Sequence, residues 1–396
     1  MKIIFTQITI LYFFTFFPSV IFSQKYIPGN TYYDPTGYVE YRAGNLPIII
    51  SAPHGGGLEP NTIPDRLCTG CVYEKDGWTK PIAEGMYKAF FEQTGCYPHV
   101  IINLLHRKKY DANRDIGDAA NGNITVEQSW YAYHRFIDSA KSKIVNDFGR
   151  GLFLDIHGHG HTIQRIELGY LLNGNELRLS DSSLNTTSKI NESSIKGLVS
   201  SNILNVSHSE LLRGAYSFGE LLDNVNFLSV PSQTIPFPAI GESYFDGGYN
   251  TQRHGSRDNN IGIDAIQLEL GWDIRNDSAI REMLIDSLTR ISNQYINRYY
   301  NNKYLNNLCN LKLSNFDNSI SNHNFKIYPN PIDDYLNIES NIYQFEINIY
   351  NYLEQKLYSE IFTGKNINVN FLSSGLYLLQ LKKDNIVLST MKFIKN

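Results

Sequence analysis

The stretch Gly151–His161, GLFLDIHGHGH, decides how the rest of the chain is read. Its first half, Leu152-Phe153-Leu154, is a short apolar run of the kind that forms a buried strand. Its second half is Asp155-Ile156-His157, after which two glycines separate His157, His159 and His161. Metal-competent groups at the C-terminal end of a buried strand are where an open α/β sheet places its ligands. A histidine-rich surface loop is the plainer alternative, and the neighbouring segments decide between the two.

Upstream, Pro47-Ile48-Ile49-Ile50-Ser51 reads as a second buried strand. It runs straight into Ala52-Pro53-His54-Gly55-Gly56-Gly57, a histidine on a flexible glycine turn. Val100–Leu105 is a third strand, and it leads to His106-Arg107-Lys108-Lys109-Tyr110-Asp111-Ala112-Asn113-Arg114-Asp115. Between the strands, Ile82, Met86, Ala89 and Phe90 recur at helical spacing through residues 80–92, and Gly95 closes that helix. Trp130–Asn146 reads as a second amphipathic helix. Strand, helix, strand, helix, strand predicts an α/β domain with a mostly parallel sheet. All three strands end in charged or metal-competent residues, and this coincidence is the strongest sequence argument for an enzyme.

Further on, residues 166–172 predict a strand or strand pair, and Ser209–Leu222 a helix. A glycine-rich polar turn at residues 245–255 carries His254. Residues 263–270 form an alternating strand with Gln267 and Glu269 on one face, and residues 277–300 a long amphipathic helix. Past Asn301 the composition shifts to Asn, Ser and Lys, which suits a linker at residues 309–324. Short alternating strands at regular spacing then fill residues 325–396, the pattern of a small all-β sandwich.

A length of 396 residues predicts two or three domains and a substantial core. A net charge of −4 and a pI near 6.2 give no reason to expect a nucleic-acid partner. Met1-Lys2, the apolar run Ile3–Ile21 and the small residue Ser23 read as a secretory signal peptide over residues 1–23, with an uncleaved anchor as the alternative. No later segment is long and apolar enough to span a bilayer. Four cysteines, Cys68, Cys71, Cys96 and Cys309, allow three disulfide pairings in an exported protein. Cys68 and Cys71 also have the spacing of half a zinc site. No second pair follows, so a local or Cys96-linked disulfide is the expectation.

The strand ends suggest a chemistry. His54, His157 and one carboxylate make the two-His, one-acid set of a catalytic zinc with an open water position. Asp76 is the preferred carboxylate, with Glu74 and Glu59 as rivals. Asp155 lies on the same strand face as His157 and suits a partner that orients the imidazole. Glu269 is the candidate base that takes a proton from water and returns it to the leaving nitrogen. Arg107 and Arg114 are the candidate cations for an oxyanion or a substrate carboxylate, with Arg66 and Asn113 beside them. His106, His159 and His161 are weaker candidates, and His254 is the best of the remaining histidines for a catalytic role. A salt-bridged structural role is the alternative for each arginine and for Glu269.

The order PHGG, YDANRD, DIHGHGH, GGYNTQRHG and AIQLELGWDIR resembles the N-formylglutamate amidohydrolase family, within the wider zinc carboxypeptidase and aspartoacylase-like group. The resemblance covers about residues 45–300. It implies a mixed-sheet α/β, phosphorylase/hydrolase-like catalytic domain over residues 24–308. It also implies a metal ligand at His54, a D-x-N-R motif at Asp111, Asn113 and Arg114 whose Asn-Arg pair holds a substrate carboxylate, a D-x-H motif at Asp155 and His157, and a base at Glu269. The H-x-x-E spacing of zinc carboxypeptidases is absent, because Gly57 stands three residues after His54. The implied substrate is an N-acyl amino acid or peptide amide bearing a carboxylate. The rival reading is a non-catalytic secreted surface protein that kept the fold. The YPNP motif at residues 328–331, the run Ile347-Asn348-Ile349-Tyr350 and the strand Gly375–Leu381 resemble the C-terminal sorting domain of the type IX secretion system of Bacteroidetes. That resemblance makes the secretion machinery a partner and implies a secreted or cell-surface location.

Overall fold

The computed structural model describes residues 26–258, 262–300, 325–340, 344–351, 356–364, 366–383 and 386–396. The expected signal peptide, the linker at 309–324 and Cys309 lie outside the described residues. Eight strands make one mixed sheet: β1 (Thr31–Tyr33), β2 (Val39–Arg42), β3 (Ile48–Ala52), β4 (His99–Asn103), β5 (Gly151–His159), β6 (Ile166–Gly169), β7 (Ser229–Val230) and β8 (Ile263–Gly271). Their spatial order is β1-β2-β4-β3-β5-β8-β6-β7. The four central strands β4, β3, β5 and β8 run parallel, while β2 and β6 flank them antiparallel.

Alternation along the strands sorts side chains to two faces. On one face Ile48, Ile50, Leu152, Leu154, Ile156, Ile266, Leu268 and Leu270 pack against helices Thr79–Thr94 and Ser278–Tyr299. On the other, Ile49, Phe153, Ile263 and Ala265 pack against helix Ile124–Phe148. Each fully buried aliphatic or aromatic side chain contributes about 1.5–3 kcal/mol. The second face changes character towards the C-terminal strand ends. There the same register presents Ser51, Asp155, His157, Gln267 and Glu269, all buried. The apolar half anchors the sheet, and the polar half is set at its carboxyl edge.

Several local expectations are corrected. Helix Ile124–Phe148 begins six residues before Trp130, because the Asn123 side chain accepts from the Val126 N–H and starts it there. The single helix expected over Ser209–Leu222 is two short ones, His208–Arg213 and Phe218–Asp223. Gly214 ends the first, and Ser217 caps the second. The glycine-rich turn contains a short helix, Tyr249–His254. Cys68 and Cys71 are joined locally, so they supply no half zinc site.

In the C-terminal region, strands Lys326–Tyr328, Tyr335–Glu339 and Ile367–Asn368 form one antiparallel sheet. Strands Phe345–Tyr350, Lys356–Phe362, Gly375–Lys383 and Ile386–Lys395 form another. Leu336 and Ile367 of the first share a core with Ile347, Ile349, Leu379, Leu381 and Phe393 of the second, as in a small sandwich. Among the described residues no helix is long and apolar enough to cross a membrane.

Candidate active site

His54 lies two residues beyond β3, on a turn that only glycine permits. A Cβ on Gly56 would fall 2.4 Å from the Leu104 carbonyl carbon, so the turn must press directly on the backbone beyond β4. Asn103 holds the same turn by donating to the Pro53 carbonyl at 2.8 Å. His157 projects from β5 within the polar half of the face. Asp76 precedes helix Thr79–Thr94 without capping it, since the cap position is Trp78 in a left-handed conformation. Instead the Asp76 amide is tied to the His54 carbonyl, which carries its carboxylate to the strand ends.

The three side chains converge. Asp76 Oδ2 lies 3.2 Å from His54 Nδ1 and 3.3 Å from His157 Nδ1, and all three are buried. The outer nitrogen of each imidazole is bound by its own carboxylate. His54 Nε2 donates to Asp111 Oδ1 at 2.6 Å, and His157 Nε2 donates to Asp155 Oδ2 at 2.8 Å. Asp155 in turn accepts from the Ser51 hydroxyl. With both Nε2 atoms committed, both Nδ1 atoms face the same point, Asp76 Oδ2. This is how protein carboxylates fix the tautomer of metal-binding histidines.

The electrostatics follow from the geometry. Burial alone would raise the Asp76 carboxyl, but the His54 and His157 imidazoles outweigh it and hold it below the usual carboxylate range. Burial opposes the Asp111 charge too, and His54 with Arg107 and Arg114 hold that carboxyl well below its ordinary value. Burial would lower the His157 imidazole, and Asp155 and Asp76 raise it well above its ordinary value. Glu269 stands directly across the β5–β8 ladder from His157, and Glu167 stands across from Glu269 on the other side. Burial pushes the Glu269 carboxyl up to about 8, with Asp76 and Glu167 adding to the rise against the pull of His157. Gln267 steadies it by donating to Oε1 at 2.9 Å.

The cations sit on the same side. Arg107 reaches Asp111 Oδ2 at 3.1 Å and Asp76 Oδ1 at 3.4 Å. Arg114 is half-buried and donates to the Asn113 carbonyl at 2.8 Å. Asn113 is buried, and its Oδ1 accepts from the Asn250 amide at 2.7 Å, which ties the D-x-N-R segment to the glycine-rich turn. Glu59 is drawn off to Lys108 at 2.6 Å, and Glu74 is exposed, so neither rival joins the cluster.

Two candidates are placed elsewhere. Arg66 is buried; it donates to the carbonyls of Arg107, Asp118 and Val72, and its Nη2 lies 3.5 Å from Asp111 Oδ2. It braces the loop and gives Asp111, which backs His54, a countercharge. His254 lies in the apolar half of the face, against Phe153, with His134 Nδ1 at 2.9 Å from its Nε2. Burial lowers its imidazole to about 4. Its partners are His134, Asp138 and Phe153, none of them a member of the His54–Asp76–His157 cluster.

His159, His161 and Glu167 form a second group of donors, but both His159 nitrogens are already bound. Its Nε2 donates to the Arg165 carbonyl at 2.8 Å, and its Nδ1 accepts from the His161 amide at 3.1 Å. That leaves His161, held by Glu167 at 3.0 Å, as a side chain beside the site.

With this geometry in hand, the comparisons with known proteins add a location. Residues 326–396 match the family model of the secretion system C-terminal sorting domain. This tail is an export signal. It marks the chain for the type IX machinery and for the cell surface or the medium. No curated protein matches the chain. Among solved structures, the chain is similar to an N-formylglutamate amidohydrolase from Ralstonia eutropha, with 11% identity, a TM-score of 0.40, and coverage of 66% of this chain and 97% of that one. It is also similar to a gene product of Agrobacterium tumefaciens, with 11% identity, a TM-score of 0.40, and coverage of 66% and 94%. These are likenesses of fold, and the functional reading stands on the site's own residues.

Sequence reasoning missed three contributors. Asp111 backs His54, and the only signal for it was the D-x-N-R motif, which pointed to the substrate instead. Glu167 flanks Glu269 from a strand that is sequence-distant. Arg275 follows β8 with no local mark of its role.

Proposed function

We propose that this protein is an exported, metal-dependent hydrolase that cleaves an amide bond, in an N-acyl amino acid or a peptide, of a substrate carrying a carboxylate. The observation that carries this reading is the convergence of two carboxylate-backed imidazoles and Asp76, with Glu269 alongside. The catalytic unit is residues 24–308, joined by residues 309–324 to the sorting domain.

The donor set fits zinc. His54 Nδ1, His157 Nδ1 and Asp76 Oδ2 would supply two nitrogens and one carboxylate oxygen, the three-ligand pattern that leaves a position open, with an ion displacing any proton on the nitrogens. A divalent ion held there makes a water acidic near neutral pH and polarises a carbonyl. The protein's own groups do the rest. Glu269, directly across the ladder from His157, takes a proton from the attacking water and hands it to the leaving nitrogen. Water adds to the carbonyl carbon, the C–N bond breaks, and an acid and an amine leave. Arg107 stabilises the developing oxyanion, while Asn113 and Arg114 grip the substrate carboxylate.

The test is metal analysis of the purified protein beside hydrolysis of a panel of N-acyl amino acids and peptides, with His157→Ala in parallel. One divalent ion per chain and turnover of at least one amide, both lost in the variant, are expected. A metal-free wild type inactive on the whole panel would overturn the reading in favour of a surface protein that kept the fold. Deleting residues 325–396 should remove the protein from the medium, as immunoblots of cell and medium fractions will show.

A further inference from the structure

Arg275 lies on the short helix Trp272–Asn276 that follows β8, and it is buried. Its guanidinium donates to three backbone carbonyls, one five residues back on its own segment and two from distant parts of the chain. Nε donates to Leu270 at 3.1 Å, Nη1 to Gly77 at 2.7 Å, and Nη2 to His159 at 3.1 Å. Gly77 is next to Asp76, Leu270 is next to Glu269, and His159 is two residues past His157. Each carbonyl therefore belongs to a segment that delivers one side chain of the site. The Trp272 ring lies over the guanidinium, with its centroid 5.1 Å from Cζ.

A planar fork with five fixed donors can bridge divergent carbonyls in a way a single ammonium cannot. Burying it is costly unless those donors are satisfied. The chain also makes room for it. A Cβ on Gly158 would lie 2.3 Å from Arg275 Nε, so the residue between His157 and His159 must be glycine for the fork to seat. The HGH spacing that drew attention in the sequence is thus a packing requirement of an arginine more than a hundred residues away.

We infer that Arg275 is the positioning residue of this site: it clamps the Asp76, His157 and Glu269 segments into one register without itself touching substrate or metal. The inference deepens the hydrolase reading, because it names the residue that holds that same site together.

The experiment compares full-length exported protein with Arg275→Gln, Arg275→Lys, Gly158→Ala and the Gly158→Ala/Arg275→Gln double variant. In chelator-treated, metal-free protein, amide hydrogen exchange should rise together at residues 76–78, 157–160 and 269–272 and stay unchanged elsewhere. Zinc affinity, measured by competition with a chromophoric chelator, should fall about 10–100-fold, as for other groups that orient metal ligands. Arg275→Lys should fail to restore either readout. The double variant should be no worse than its worse parent, since both changes break the same clamp. Faster exchange confined to residues 272–276 overturns the inference. So does a zinc affinity within about twofold of a zinc-binding wild type, the level expected of uncoupled sites. A wild type that takes up no zinc sinks the hydrolase reading, and the exchange pattern alone then decides the clamp.

Discussion

Two pairs of buried histidines lie on the same face of one sheet and have opposite characters. His54 and His157 approach with ring centroids 4.8 Å apart, and His134 and His254 with centroids 5.1 Å apart. In the first pair each imidazole gives its outer proton to a buried aspartate, and the two inner nitrogens face a third carboxylate. In the second pair His134 Nδ1 and His254 Nε2 bond each other at 2.9 Å, the nearest carboxylate is the exposed Asp138 at 3.6 Å from His254 Nδ1, and burial holds His134 well below its ordinary value and His254 near 4. Burial therefore does not make a histidine a ligand. A buried carboxylate hydrogen-bonded behind it does, by fixing the tautomer, and Asp138, exposed and 3.6 Å from His254, does not do this for the second pair. The second pair is a neutral polar link between helix Ile124–Phe148 and the short helix Tyr249–His254.

The largest way to break this contrast is to remove a member of the first pair. His157→Ala or His54→Ala should abolish stoichiometric metal binding and cut kcat/KM by roughly a thousandfold or more, matching the several kcal/mol a metal contributes to the transition state. Metal analysis and single-substrate kinetics check this. Next come the backing carboxylates. Asp155→Asn and Asp111→Asn keep size while weakening the hold on each imidazole, and each should cost about 10–100-fold in metal affinity. An unchanged affinity in both would mean that the aspartates are structural and the contrast is misdrawn. A weaker effect is expected in the second pair. His254→Gln should lower unfolding stability by about 1–3 kcal/mol through the disturbed His134 contact, with metal content and kcat/KM unchanged. A folded His254→Gln protein that has lost activity would return His254 to the catalytic machinery.

The strand ends were legible in the sequence because a period of two and a β-branched run mark buried strands wherever they fall. Ile48–Ala52, Gly151–His159 and Ile263–Gly271 lie within a residue or two of the expected positions. His54, Asp76, His157 and Glu269 could be grouped because each sits at such an end or beside it. The roles of His254 and Arg66 were not legible. A glycine-rich turn and a polar loop look alike whether their side chains face a cleft or the underside of a helix, and only the packing of Phe153 and the Arg107, Asp118 and Val72 carbonyls decides. Strand Lys356–Phe362 was missed, since its pattern of exposed and half-buried residues has little apolar alternation. Arg275 illustrates the general limit. Its three partners are carbonyls, which carry no side-chain signature, and its bond to Gly77 joins residues 198 apart.

A buried histidine outside both pairs extends the comparison to stability. His99 begins β4 and accepts from the Tyr41 hydroxyl at 2.7 Å and the Gly44 amide at 3.2 Å. Burial, with help from the Lys143 charge, lowers its imidazole from 6.5 to about 3. Both bonds need an unprotonated Nδ1, so the folded state refuses a proton that the unfolded chain accepts. Between pH 6.5 and 3 the unfolded state binds more protons, and stability rises with pH across that window. The His99 contribution is fully present above pH 6.5 and is lost as the medium acidifies towards 3. One unit below 6.5 the penalty should be about 1.4 kcal/mol. Urea melts at pH 7.5 and 5.5 should show a smaller acid loss in His99→Asn than in the wild type, by roughly that amount. Equal acid losses in the two proteins would show that His99 takes a proton in the folded state as readily as in the unfolded one. An imidazole without a buried carboxylate behind it would then be able to charge inside this sheet, and the distinction between the two histidine pairs would lose its physical basis.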